Sequence, residues 1–137
     1  MCAPVQTFRA EEARNMHYRI ELAQGYIRAE LSERKTAEES LEFIKALTAR
    51  SAHTGCARVL VSVRKSRPIF KINSYGITQY FRQVAETHGR VALVSDSDEM
   101  RSSQQYIEML GREQGAAVRA FRDESAAIEW LRSATSG

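Results

Sequence analysis

Apolar residues whose spacing switches between strand and helix periods along one short chain predict an α/β domain built on a mixed β-sheet. Three observations carry that expectation. The first apolar stretches alternate residue by residue, the later ones are short β-branched runs, and segments with apolar residues at i, i+3 and i+4 separate those runs. The resulting order is β-β-α-β-α-β-α-β-α. It calls for an antiparallel hairpin followed by parallel strands joined through helical crossovers.

Residues 1–16 are polar and without a period, which marks them as an extension preceding the domain at 17–132, with 133–137 as a tail. Tyr18, Ile20 and Leu22 alternate with His17, Arg19 and Glu21, the two-residue period of a half-buried strand. Gln24-Gly25 supplies a turn, and Ile27, Ala29 and Leu31 alternate again, completing a hairpin. Thr36 and Glu39 have the spacing of a capping box at a helix start. Leu41, Ile44 and Leu47 follow on one face, and Gly55 ends the connection.

The run from Arg58 to Val63 is rich in valine, as expected of a strand covered on both sides. After it, Asn73 or Ser74 suits the N-cap of a second helix with Ile77, Tyr80, Phe81 and Val84 on its inner face and Gly89 at its end. Val91–Val94 forms another buried strand, and the polar turn from Ser95 to Glu99 leads to a third helix expected to begin near Ser102 or Ser103. Its apolar face is Tyr106, Ile107 and Leu110. Val118 and Phe121 mark a last strand, and Asp123 to Ser125 open a final helix with Ile128, Trp130 and Leu131.

The 137 residues are 43% hydrophobic and 27% charged, enough for one core and too few for two ordinary domains. No apolar run approaches the roughly 20 residues of a membrane-spanning helix, and the first residues lack the apolar stretch of a signal peptide. Cys2 and Cys56 cannot make a disulfide framework, so a cytoplasmic protein without structural disulfides is expected. Cys56, just before a buried strand, reads as a small core residue.

The formal net charge of +3 is modest, but its distribution is uneven. Between Glu42 and Glu86 there is no acidic residue, while Lys45, Arg50, Arg58, Arg64, Lys65, Arg67, Lys71 and Arg82 all fall there. Such segregation either focuses a positive potential on one part of the surface or forms a solvated basic face. Arg64, Lys65, Arg67 and Lys71 cluster around Pro68 in an expected loop.

The C-terminal half carries a resemblance. Gly89 to Asp96 as a strand, a helix from Tyr106 to Gly115, Val118-Arg-Ala-Phe-Arg-Asp-Glu124, and Ala127-Ile-Glu-Trp-Leu131 follow a pattern typical of the SpoIIAA-like group of small bacterial proteins. That group resembles the STAS fold of anti-sigma-factor antagonists. Ile72-Asn-Ser-Tyr-Gly-Ile77 is similar to the Asp-Ser-Ser-Gly-Leu loop that carries the phosphorylated serine of those antagonists. The resemblance implies a regulatory or binding module rather than an enzyme, with Ser74 in the phosphoacceptor position and Gly76 allowing close approach at the helix start. Asn73 stands where the antagonists have Asp, Tyr75 replaces a small residue, and the preceding loop is longer and more basic.

In open α/β sheets, ligands gather at the carboxyl ends of strands, where helix N-termini point. That end of this fold is expected to collect Arg64, Lys65, Arg67 and Lys71, the helix start at Asn73-Ser74, and, secondarily, Ser95 and Asp96. Free amides and guanidinium groups there suit a phosphate or carboxylate. A phosphate on Ser74 itself would bring the same charge to the same place, and a plain N-cap is the bland alternative for that serine.

Asp96, Asp98 and Glu99 offer oxygen ligands for a hard cation, against the simpler role of a helix-capping turn. His17, His53 and His88 have no zinc-ligand spacing, and neither a nucleophile motif nor a glycine-rich phosphate loop is present. No cofactor or catalysis is expected. Phe70, Tyr75 and Tyr80 near the basic loop suit base stacking, but a single loop cluster ranks nucleic acid below a small anion or lipid as partner. The alternative to a small ligand is a protein-interaction domain, dimerising through the N-terminal hairpin.

Overall fold

In β2 the side chains of Ile27, Ala29 and Leu31 are buried while those of Arg28, Glu30 and Ser32 remain partly accessible, so the sheet has two chemically different faces. The computed structural model describes residues 17–33, 37–66 and 74–133. It contains β1 (His17–Leu22), β2 (Ile27–Ser32), α1 (Ala37–Thr54), β3 (Arg58–Arg64), α2 (Ser74–Glu86), β4 (Arg90–Ser95), α3 (Asp98–Glu113), β5 (Ala117–Phe121) and α4 (Glu124–Arg132). The five strands lie in the order β1-β2-β3-β4-β5. β1 pairs antiparallel with β2, and every later pair is parallel. The expected α/β fold and element order are what the chain adopts. The extension at 1–16, Thr36 and residues 134–137 lie outside the described residues.

Consecutive parallel strands advancing in one direction place their crossover helices on one face if the connections share a hand. Accordingly α1, α2 and α3 supply Phe43, Leu47, Tyr80, Phe81, Val84 and Met100 to one core, against Leu31, Val59, Val61, Val91 and Val118 of the sheet. Tyr18 and Phe43 meet edge to face at 5.7 Å, which seals this core at the hairpin side. Among the described residues, the opposite face is covered by α4 alone. There Ala127 and Leu131 pack on Leu60, Ala92 and Val94. β3 is buried from both sides, as its valine-rich sequence requires.

Two arginines from the amino ends of β3 and β4 fix the end of α4. Arg58 Nη1 donates to the Leu131 carbonyl at 2.6 Å, and Arg90 Nη1 donates to Trp130 at 2.6 Å and Ser133 at 3.1 Å. Carbonyls at the end of a helix lack an amide one turn on; Trp130 takes a 3.3 Å bond from the Ser133 amide instead, and a cation is favourable at this pole of the helix dipole. Arg90 is only 5% exposed and also lies over the Trp130 ring at 5.5 Å. The other end of α4 is capped by Asp123, whose side chain accepts from the Ala126 amide.

One boundary differs from expectation. α3 begins at Asp98, four residues before Ser102, because the Ser97 side chain accepts the Met100 amide and caps the helix. Its innermost residues are Met100, Ser103, Gln104 and Gly111, whereas Tyr106, Ile107 and Leu110 are only partly buried. Gly111 is the point of closest approach between α3 and β5. A Cβ at that position would overlap Val118 Cγ2 and press on Phe81 Cδ1 at 3.4 Å. Gly111→Ala should therefore lower stability by about 1–3 kcal/mol, despite alanine's better helix propensity. Thermal unfolding of the variant checks this; an unchanged or raised midpoint would contradict the close approach.

Candidate functional site

The carboxyl ends of β2, β3 and β4 finish at one side of the sheet because those strands are parallel. Two of the ends turn sharply. Glu33 after β2 and Lys65 after β3 adopt the left-handed conformation, with φ of 61° and 49°, which costs each non-glycine residue roughly 1 kcal/mol. Both turns are tied down. The Glu33 amide donates to the Arg64 carbonyl at 3.2 Å, and the Lys65 amide donates to Asp96 Oδ2 at 3.1 Å. Ser66 Oγ donates to the Arg64 carbonyl at 2.9 Å. The chain thus leaves β3 bent towards the end of β4.

Among the residues expected to form an anion site, Lys65, Ser95 and Asp96 meet at this corner. Ser95 is partly buried and donates to the Ser97 carbonyl at 3.3 Å; Asp96 is exposed. Ser74 and Gly76 belong to the first turn of α2, which starts on this side because the crossover begins where β3 ends; the Ser74 side chain is outside what the structure describes. Arg67, Lys71 and Asn73, with Pro68 and Phe70, lie outside the described residues.

Arg64 is directed elsewhere. On β3 it occupies the face that α4 covers, and its Nε lies 3.2 Å from Glu30 Oε2. It ends a chain of charges that the sequence does not reveal. Arg28 Nη1 lies 3.5 Å from Glu30 Oε1, while Arg28 Nε and Nη2 donate to the Glu124 carboxylate at 2.7 and 3.0 Å. The order Arg64–Glu30–Arg28–Glu124 joins β3, β2 and α4, whose members stand 96 residues apart in the longest link. The two-pronged hydrogen bond from Arg28 holds the Glu124 carboxyl below its ordinary range, helped by the nearby charges of Arg28 and Arg64 and opposed by partial burial. The same bond raises the Arg28 pKa.

Two acids of the following turn have partners of their own. Asp96 holds the Lys65 amide, and Asp98 lies 3.6 Å from Arg101. Among the described residues, no three His, Cys, Asp or Glu side chains gather as a metal site would require. Cys56 is partly buried, and its Sγ contacts the Arg58 carbonyl at 3.6 Å. No helix among the described residues is long and apolar enough to cross a membrane.

The charge chain generates a pH prediction. Since the folded-state pKa of Glu124 lies below the unfolded one, its contribution is present above the ordinary glutamate range and fades as pH falls through the lowered value. Glu124→Gln should cost about 1 kcal/mol near neutral pH and little in acid. Denaturant unfolding at both conditions checks it; an equal loss in each would contradict the ion pair.

The family model described as SpoIIAA-like matches residues 26–132. None of the curated proteins matches this chain. Among solved structures, the NMR structure of the protein TM1081 superposes with a TM-score of 0.56 at 16% identity, covering 82% of this chain and 86% of that one. An uncharacterised protein of the DUF3478 family from Shewanella loihica PV-4, with a SpoIIAA-like fold, gives a TM-score of 0.47 at 18% identity over 85% and 93% of the two chains. Likeness at this level of identity to TM1081 speaks of fold alone. The family match runs from the residue before β2 to the end of α4, and the chain belongs to the SpoIIAA-like family.

Proposed function

We propose that this STAS-type domain is a non-enzymatic binding module that receives an anionic or phosphoryl group at the start of α2. One observation carries the reading. Of the helices among the described residues, α2 alone has no acidic residue in the sequence of its first turn, whereas Glu38 and Glu39, Asp98 and Glu99, and Glu124 stand at the starts of the others. A carboxylate at a helix N-terminus offsets the positive pole of that helix. At α2 the pole is left for an external anion, and Arg67 and Lys71 stand in the segment leading to it.

Within this reading Lys65, Arg67 and Lys71 supply charge, and the amides of the first turn supply directed donors. Ser74 is either a hydroxyl donor to the bound group or itself the acceptor of a phosphoryl group, and Gly76 permits close backbone approach. Arg64 takes a supporting part through Glu30. A packing-only role has less support. The large exposed hydrophobic residues among those described are Leu22, on the β1 edge, and Met109, on α3 near the β5 edge, so they belong to opposite ends of the sheet.

Calorimetric titration with inorganic phosphate and pyrophosphate separates the roles. The combined variant Lys65→Gln, Arg67→Gln and Lys71→Gln should weaken binding at least tenfold, since each lost contact to a charged group is worth about 1.5 kcal/mol or more. Arg64→Gln should lower stability and leave binding within about twofold. Wild-type affinity in the combined variant would remove the proposal.

A further inference from the structure

Three side-chain atoms among those described are fully enclosed without a hydrogen-bond partner: Ser40 Oγ, the Tyr80 hydroxyl and Gln104 Oε1. They come from α1, α2 and α3, and their residues are 6%, 6% and 4% exposed. All three line one cavity of about 80 Å³ between those helices and the sheet, walled besides by Ser103 and by apolar side chains such as Phe43, Phe81 and Leu93. An unsatisfied buried polar atom carries its full desolvation cost, so three around a single space are a large standing cost. The Gln104 orientation is fixed by its own bond. Nε2 donates to the Val94 carbonyl at 2.9 Å, which only the amide nitrogen can do, and this leaves Oε1 as the free acceptor.

A second cavity, of about 280 Å³, lies towards the amino ends of the strands and is lined by Thr48, Cys56, Val59, Val84 and Thr87 among others. Tyr80 is the one side chain that lines both spaces. Taken together they reach the roughly 300 Å³ at which small-molecule pockets begin. No charged side chain lines either space.

We propose that the two cavities form one site for a small uncharged molecule with an alcohol or primary-amide head on an apolar body, Tyr80 being its central contact. The head must both donate, to Gln104 Oε1, and accept, from the Tyr80 and Ser40 hydroxyls. A hydroxyl or an amide does both; a ketone or ether would leave Gln104 unsatisfied. A carboxylate is excluded because nothing in the lining offsets its charge, and burial of an unpaired charge is far costlier than burial of a neutral head. This site is separate from the anion corner and does not depend on it.

The test uses 1-hexanol as probe and hexanoate as its charged counterpart, followed by amide chemical shifts of the full chain. Hexanol should give saturable shifts centred on Ser40, Tyr80 and Gln104, hexanoate at neutral pH should give none there, and the Lys65, Arg67 and Lys71 variant should respond to hexanol as wild type does. Tyr80→Phe should move two readouts in opposite directions. Removing an unsatisfied hydroxyl should raise the unfolding midpoint of the free protein by roughly 3 °C, while hexanol affinity falls about tenfold. Ser40→Ala should do the same more weakly. Non-saturable hexanol shifts, as from a cavity that holds only water, equal binding of hexanoate, or a Tyr80→Phe variant that is less stable or binds hexanol as wild type does would each overturn the proposal.

Discussion

The parallel register of β2, β3, β4 and β5 is the constraint on which the rest of this molecule depends. It sends three crossover helices to one face and leaves the other to α4. It also brings the carboxyl ends of these four strands to one side, where α2 and α3 begin. Each local feature of the corner is then a consequence. The left-handed turns at Glu33 and Lys65 let two strands stop abruptly, and Asp96 spends its carboxylate on the Lys65 amide. The helix start beyond is free of acids.

The two faces of the sheet solve different problems. The three-helix face buries most of the apolar surface but also encloses the Ser40 and Tyr80 hydroxyls and Gln104 Oε1 without hydrogen-bond partners. Burial alone pushes the Tyr80 phenol well above its ordinary range, so it stays protonated and able to donate at any physiological pH. The α4 face has less apolar area and relies on charge at both helix ends. Arg58 and Arg90 meet its last carbonyls, and Arg28 grips Glu124 at its first turn. A single helix on an otherwise polar face is held by its termini as much as by its side.

Much of the architecture was legible from residue spacing. The alternation of Tyr18, Ile20, Ile27, Ala29 and Leu31 marks the hairpin, and the valines of β3 mark a strand covered twice. The start of α3 was not legible, because its buried stripe is made of Ser103, Gln104 and Gly111 with Met100 as the apolar member, and polarity hides burial. Arg64 illustrates the limit for the site. Its neighbours in sequence place it in a basic loop cluster, but the pleat puts its side chain on the α4 face beside Glu30. The alternation of β3 contained a signal for this, since Arg64 shares a side with Leu60 and Ser62; only the strand's true end, one residue beyond Val63, decides that it counts. The two cavities had no signal at all, because they arise from how Tyr80 and its neighbours fail to fill space.

The proposed anion site at the acid-free start of α2 is open to direct test. The most direct measurement is a titration of the wild-type chain with inorganic phosphate, followed by backbone amide shifts. The account predicts saturable changes concentrated at Lys65, at Ser74 to Ile77 and at Asp96. Changes spread along α1 or α4, or a response no larger than that produced by the same ionic strength of chloride, would contradict it.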